Sequence, residues 1–320
     1  MNKPVSDKPA GNTWSRQIDG TGEFVRKDAV FRSWIRADGS TGFTPAAGRY
    51  HLYVSLACPW AHRTLIVRKL KGLEHAISVD VVDPLLTDRG WTFKQSSPGA
   101  TGDTLNGFER LRQVYEVADP GYEGVVTVPV LWDKQGNTIV NNESSEIIRI
   151  FNNEFQGVAH NPGLDLYPES LRTAIDECNQ WIYDDINNGV YRAGFARTQA
   201  VYSTAVRSVF AALDRVESML GKSRYLCGDT FTEADIRLFV TLLRFDAVYV
   251  THFKCNIRRI VDYSNLWGYT RDIYQRPGIA ETVNMEHIKR HYFESHRHMN
   301  PYGIVPEGPV LDFTAPHGRG

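Results

Sequence analysis

The sequence predicts an α/β unit joined to an all-α one: a small sheet with helices in the first half of the chain, a helical bundle in the second. Three observations carry this. Between Tyr50 and Val82 a β-branched and aromatic run, a helical run and a second β-branched run follow one another with short breaks, and strand, crossover helix, strand implies a parallel pair. From Val125 to Phe151 two further short strands lead into another helix. After about Pro168 the apolar residues recur only at helical spacing.

The chain has 320 residues, enough for two domains with a sizeable core. A formal net charge of −1 gives no support to nucleic-acid binding or membrane-surface attraction. No apolar run approaches the ~20 residues of a bilayer span. Met1 to Arg16 is polar with no apolar signal core, so secretion is not indicated. Four cysteines in a chain this long make no disulfide framework and fit a reduced, cytoplasmic setting. No internal repeat is visible.

Residues 1–48 are rich in Gly, Asp, Ser and Thr but carry Trp14, Phe24, Phe31 and Trp34. They read as an extended arm pinned to a domain surface by its aromatics, since a disordered tail shows fewer. Residues 49–155 form the α/β domain. Its first strand runs from Tyr50 to Ala57, and a helix follows whose apolar stripe is Ala61, Leu65, Ile66, Leu70 and Leu73. Pro59 is harmless in the first turn, so Cys58 stands at a helix start. Free backbone N–H groups and the helix dipole favour a thiolate there, and His62 and Arg63 add donors or charge one turn later. The predicted thiol pKa is therefore below that of free cysteine. A buried cysteine acting as a small hydrophobe is the bland alternative; Cys-Pro at a strand-to-helix turn favours the nucleophile.

Lys71-Gly72 ends the helix, and Ile77 to Val82 is the second strand. The long connection 83–124, rich in Gly and Pro, has room for one helix between Phe108 and Val117; connections this long are often functional. Trp91 within it reads equally as a core or lid aromatic and as a ligand contact. Val125 to Trp132 is a strand interrupted by Pro129, disfavoured unless it lies at an edge, bulge or strand start. A cis bond there would turn the Val128 backbone toward a ligand. Thr138 to Val140 returns, and Glu143-Ser144 opens a helix as an anion site or as plain capping residues.

Residues 156–167 have a linker composition, 168–295 are the helical domain, and 296–320 a C-terminal tail. Leu171, Ile175, Cys178, Ile182, Ile186 and Val190 predict one helix, Ala205 to Leu220 a second ended by Gly221, and Thr232 to Leu238 a third opened by a near capping box with Asp235. Leu266 to Tyr274 and Ile279 to Tyr292 continue the set. Tyr191, Tyr249 and Tyr292 are packing residues or phenols that stack on a ring and donate a proton. The run His287, His291, His296 and His298 lacks a metal-binding partner pattern, so no metal is expected. Cys178, Cys227 and Cys255 read as structural.

Cys58-Pro59-Trp60-Ala61 resembles the thioredoxin and glutaredoxin signature with its second cysteine replaced by Ala61. A dithiol enzyme uses that second thiol to resolve its mixed disulfide; here the resolving thiol must come from outside, and glutathione is the obvious candidate. The order Cys-Pro turn, Val-Pro strand start, Glu-Ser helix start resembles the glutathione-binding thioredoxin-like domain of the glutathione transferases. Tyr53 to Arg63 and Val248 to Cys255 are similar to the glutathionyl-hydroquinone reductases, the xi class of that family, with no departure in these motifs.

The resemblance implies that Cys58 attacks the sulfur of an S-glutathionyl-hydroquinone, becomes a mixed disulfide with glutathione, and is freed by a second glutathione. It implies glutathione binding by Trp91, Val128, Pro129, Glu143 and Ser144, and a hydroquinone pocket of Tyr191, Tyr249 and Tyr292, with Tyr249 and Tyr292 as catalytic donors. It implies glutathione as co-substrate with no metal, flavin or nicotinamide, a small aromatic glutathione conjugate as partner in the reaction, and a homodimer. Two other readings stay open: a glutathione thioltransferase or dehydroascorbate reductase using the same cysteine, and a non-catalytic transferase-like assembly module.

Overall fold

The computed structural model describes residues 17–319. The polar start Met1–Arg16, with Trp14, lies outside the described residues. Strand β1 (Tyr50–Val54) is buried along its whole length, because both faces are covered. Helix α1 (Pro59–Leu70) follows, then β2 (Ile77–Val81), paired parallel to β1 with Tyr50 opposite Ile77. Two-residue strands β3 (Leu86–Thr87) and β4 (Gly90–Trp91) make a small hairpin in the long connection, and α2 (Leu111–Ala118) lies where one helix was expected. Antiparallel β5 (Val130–Asp133) and β6 (Thr138–Asn141) complete a mixed sheet of order β2-β1-β5-β6, and α3 (Ser144–Asn153) packs beside α1.

Three sequence expectations change here. The predicted strand 125–132 begins only at Val130. The Val128–Pro129 bond is cis, and Pro129 stands just before the strand, where its missing N–H deletes no ladder bond. Helix α1 is buried on nearly every side, Pro59 and Ala61–Val67 included. It lies between α3 and the later helix Glu233–Arg244, so His62, Arg63 and Thr64 enter the interior with the apolar stripe. The arm does more than lie on a surface. Ser33 N–H donates to Val140 O at 3.0 Å and Asn142 N–H to Phe31 O at 3.0 Å, so the arm covers the open edge of β6.

The second half is helical. The helix expected over 171–190 is α4 (Arg172–Ile182), a wider π turn at Tyr183–Asn187, and α5 (Gly189–Phe195). The Asn187 side chain leaves the helix surface there, taking Arg63 as donor at 2.7 Å and giving to Arg237 O and Thr241 Oγ1 at 2.9 and 2.8 Å. Gly194 in α5 has no room for a side chain: a Cβ would fall 2.3 Å from the Phe253 ring. Helix α6 (Gln199–Leu220) starts six residues before the predicted Ala205, because Thr198 caps it through Val201 N–H.

Helix α7 (Glu233–Arg244) opens with the Thr232–Asp235 capping box and runs into a π turn at Phe245–Tyr249. Helix α8 is Ser264–Tyr274. The last helix, α9 (Met285–Ser295), starts later than the predicted Ile279, at the Asn284 side chain that accepts from His287 N–H at 2.9 Å. Beyond it the chain packs back on the helices through Phe313 against Trp267 and Tyr274, and through the Arg319 guanidinium on the carbonyls of Leu220, Ser223 and Arg224. Among the described residues no helix is long and apolar enough to cross a membrane.

Candidate active site

Cys58 is the N-cap of α1, partly buried at the floor of a cleft between the sheet side and the helices. The N–H groups of Ala61 and Trp60 face its sulfur and favour a thiolate, as do the charges of Arg244 and Arg26. Burial opposes them and wins, pushing the thiol up. This corrects the expected pKa below that of free cysteine, and the physical reason is desolvation. The protonated thiol donates to Val128 O at 3.6 Å.

His62 and Arg63 also differ from expectation, because neither charges the thiol. The His62 ring is buried between Thr282 Oγ1 at 2.8 Å and Arg244 Nη1 at 3.2 Å. Burial and then the Arg244 charge hold its pKa well below the ordinary value, so it is neutral. Arg63 turns away to Asn187 and to Ser144 Oγ at 3.5 Å, and burial pushes it down to about 9. The cation near Cys58 comes instead from α7. Arg244 is fully buried, with Nε donating to Ala57 O at 2.9 Å, Nη2 to Leu56 O at 3.3 Å and Nη1 to Val240 O at 2.7 Å. Among the described residues no carboxylate pairs with it. Sequence reading passed over Arg244; its one signal was a charge inside the apolar run Phe239 to Phe245.

One wall of the cleft holds Val128, Pro129, Glu143 and Ser144. Glu143 caps α3 through Ser145 N–H and Ser145 Oγ, both at 2.8 Å, so it is a cap and a cleft residue together. Trp91 lines the cleft from β4 and stacks on His291, with ring centres 5.0 Å apart. His291 was weighed only as a possible metal ligand. Its Nδ1 donates to Pro84 O at 2.9 Å, and burial pushes its pKa down to about 4, which fixes a neutral ring under Trp91. Within the histidine run the His296 ring centre lies 5.6 Å from that of His291 and 6.0 Å from that of His298, and the His296 ring meets His252 at 3.0 Å, while His287 bonds Pro98 O. No group of three metal-binding side chains occurs among the described residues. Cys178, Cys227 and Cys255 are free thiols away from the cleft lining.

The opposite wall holds Tyr191 and Tyr292, whose hydroxyls lie 2.6 Å apart. Tyr249 is fully buried behind them and reaches the Tyr292 hydroxyl at 3.1 Å without lining the cleft. Three phenols far apart in sequence thus form one hydrogen-bonded chain. Burial raises the pKa of all three, and for Tyr191 the Cys58 charge is the next cause, so each stays protonated as a potential donor. The arm supplies a third side through Gln17 and residues 26–30, which no sequence motif had indicated.

Family models of the glutathione S-transferase N-terminal and C-terminal domains match residues 57–154 and 199–272. Glutathionyl-hydroquinone reductase YqjG of Escherichia coli (strain K12) is 59% identical over 96% of this chain and 95% of its own length. Glutathionyl-hydroquinone reductase PcpF of Sphingobium chlorophenolicum is 49% identical over 93% of this chain and 94% of its own. Among solved structures, glutathione-bound YqjG from Escherichia coli K-12 superposes with a TM-score of 0.89 at 61% identity, covering 91% of this chain and 96% of that one. The glutathione S-transferase Xi from Phanerochaete chrysosporium does so with a TM-score of 0.90 at 55% identity, covering 93% and 96%.

Proposed function

The chain belongs to the glutathionyl-hydroquinone reductases, the xi class of the glutathione transferases, and from that premise we propose that it reduces S-glutathionyl-hydroquinones to hydroquinones with release of glutathione disulfide. One observation carries the reading. Cys58 lies between a wall suited to a tripeptide and a wall of protonated phenols suited to an aromatic leaving group. The division of labour follows the arm 1–48, the glutathione-binding domain 49–155, the linker 156–167, the helical domain 168–295 and the tail 296–320.

In the first step Cys58 thiolate attacks the glutathionyl sulfur of the conjugate. A sulfur–sulfur bond forms, the sulfur–carbon bond breaks, and the bonding pair stays on the ring carbon, which takes a proton. The two sulfurs are oxidised and the ring is reduced. In the second step the thiolate of another glutathione attacks the mixed disulfide, releases glutathione disulfide and restores Cys58. Glutathione lies against Trp91 and the Val128–Pro129 backbone, with its γ-glutamyl end at Glu143 and Ser144. The N–H groups of Ala61 and Trp60 and the charges of Arg244 and Arg26 favour the attacking thiolate against the burial that raises its pKa.

As negative charge develops on the ring and its oxygens, Tyr292 and Tyr191 donate hydrogen bonds and deliver the proton, with Tyr249 supporting Tyr292 from behind. This chemistry suits clearance of quinone conjugates in a reducing cytoplasm by a dimer joined through the helical domain; a monomeric mass in light scattering would remove the dimer. The decisive assay is glutathione-dependent turnover of a glutathionyl-hydroquinone beside hydroxyethyl disulfide and dehydroascorbate. The conjugate is expected to be the best substrate by kcat/KM, and limited substrate should leave one glutathione on Cys58 by intact mass. Preference for either of the other two would replace the reading with a thioltransferase or dehydroascorbate reductase.

A further inference from the structure

We propose that Arg26, carried into the cleft by the N-terminal arm, is a substrate-binding residue that receives an oxygen of the hydroquinone ring. The arm is anchored on both sides of it. Phe24 is buried against Phe195 and Tyr191, with ring centres 5.4 and 6.2 Å apart. Phe31 N–H donates to Asn142 Oδ1 at 3.1 Å, and Phe31 O accepts from Asn142 N–H at 3.0 Å. Between these anchors the Arg26 guanidinium carbon lies 4.6 Å from the Trp60 ring centre and 5.1 Å from that of Tyr191. Trp60 is two residues beyond the nucleophile, and Tyr191 belongs to the phenol chain, so the guanidinium sits on the aromatic side of the cleft.

The guanidinium is incompletely satisfied. Nε donates to Asn188 Oδ1 at 3.1 Å, while Nη2 is buried with no hydrogen-bond partner. Among the described residues no carboxylate reaches Arg26. Arg149, Arg192 and Arg237, by contrast, all meet glutamates. Ring faces offset part of the cost of a half-buried cation, but they do not satisfy an N–H donor, and a buried donor left unmade is costly. An acceptor oxygen entering the cleft completes it.

The matching ligand is an oxygen that is anionic or becomes so, held in the plane of the fork. A hydroquinone oxygen fits because charge grows on it as the sulfur–carbon bond breaks, so the contact strengthens toward the transition state. The arm then becomes a wall of the active site that selects for oxygen-bearing rings.

The inference rests on the reductase reading, and the test separates the two. Wild type, Arg26→Met and Arg26→Lys are assayed with a glutathionyl-hydroquinone and with hydroxyethyl disulfide, which has no ring, alongside thermal melting. Arg26→Met should lower kcat/KM for the conjugate by roughly 10²-fold, as loss of an oxyanion donor does, and lower it much less for the disulfide. Arg26→Lys should recover part of the loss. An equal fall on both substrates would mean that Arg26 acts only through the thiol or the fold, and would overturn the inference, as would no fall at all. A wild-type protein that ignores the conjugate would instead overturn the reductase reading itself.

Discussion

The two walls of the cleft are built in opposite ways. On the sheet side each feature is local: Cys58-Pro59 at one turn, Val128-Pro129 before one strand, Glu143-Ser144 at one helix start. On the helical side nothing is local. Tyr191 comes from α5, Tyr249 from the π turn after α7 and Tyr292 from α9, and only packing brings their hydroxyls into one chain. The features of the first wall sit at turns and element starts, for which short motifs suffice. The second gathers side-chain donors from distant elements, and those need a buried, preorganised setting. Arg244 crosses between them: it rides on α7 and holds the carbonyls of Leu56 and Ala57, just before Cys58.

The largest effect expected is at the shared centre. Cys58→Ser should remove turnover of the conjugate and of disulfide substrates alike while leaving the melting curve intact; near-normal turnover in that variant would end the thiol mechanism. The bridge between the walls comes next. Arg244→Met strips the carbonyls of Leu56 and Ala57 of a donor and the thiolate of a buried positive charge. The midpoint of the pH profile for iodoacetamide alkylation of Cys58 should move up by about one unit, since one unit corresponds to about 1.4 kcal/mol. An unmoved midpoint would confine Arg244 to a structural role.

The phenol wall can be dissected without touching the thiol. Tyr292→Phe should lower turnover of the conjugate by roughly 10²-fold, as for loss of an oxyanion donor, with the alkylation rate of Cys58 kept. Tyr249→Phe should lower it less, by about tenfold, because Tyr249 reaches the cleft only through Tyr292. Equal effects would place both hydroxyls on the substrate, and no effect from either would hand the proton to water.

The smallest effect at neutral pH concerns the buried imidazoles behind that wall. His62 and His296 are held well below their ordinary pKa, and His252 and His291 are pushed down to about 4, all by burial first. The unfolded chain binds protons at these sites near pH 6.5 and the folded one does not, so their contribution to stability is present above that pH and is lost on acidification toward 4. Denaturant midpoints should be flat from about pH 8 to 7 and fall steadily below about 6.5, with more than one proton taken up on unfolding. A midpoint independent of pH between 6.5 and 4.5 would show that these rings are charged in the folded protein.

Much of the sheet side was legible in the chain because its signals are short-range. The β-α-β pattern, Pro59 in the first helical turn and the Thr232–Asp235 box each depend on residues a few positions apart. The helix starts at Gln199 and Met285 were missed because single caps, Thr198 and Asn284, outweigh apolar spacing there. The π turns at 183–187 and 245–249 were invisible because their causes, such as the Asn187 contacts to α1 and α7, are tertiary.

By itself the sequence determined the α/β-then-α order, the place of Cys58 at a helix start and the want of a second thiol beside it. Those are matters of backbone preference and residue identity along a few turns. Only the tertiary structure decided the electrostatics of that thiol. It turned His62 neutral and Arg63 away, brought Arg244 from 186 positions downstream and Arg26 from the arm, and buried the sulfur enough to raise its pKa. Charge and desolvation depend on what surrounds an atom in three dimensions, and sequence neighbours are a small part of those surroundings.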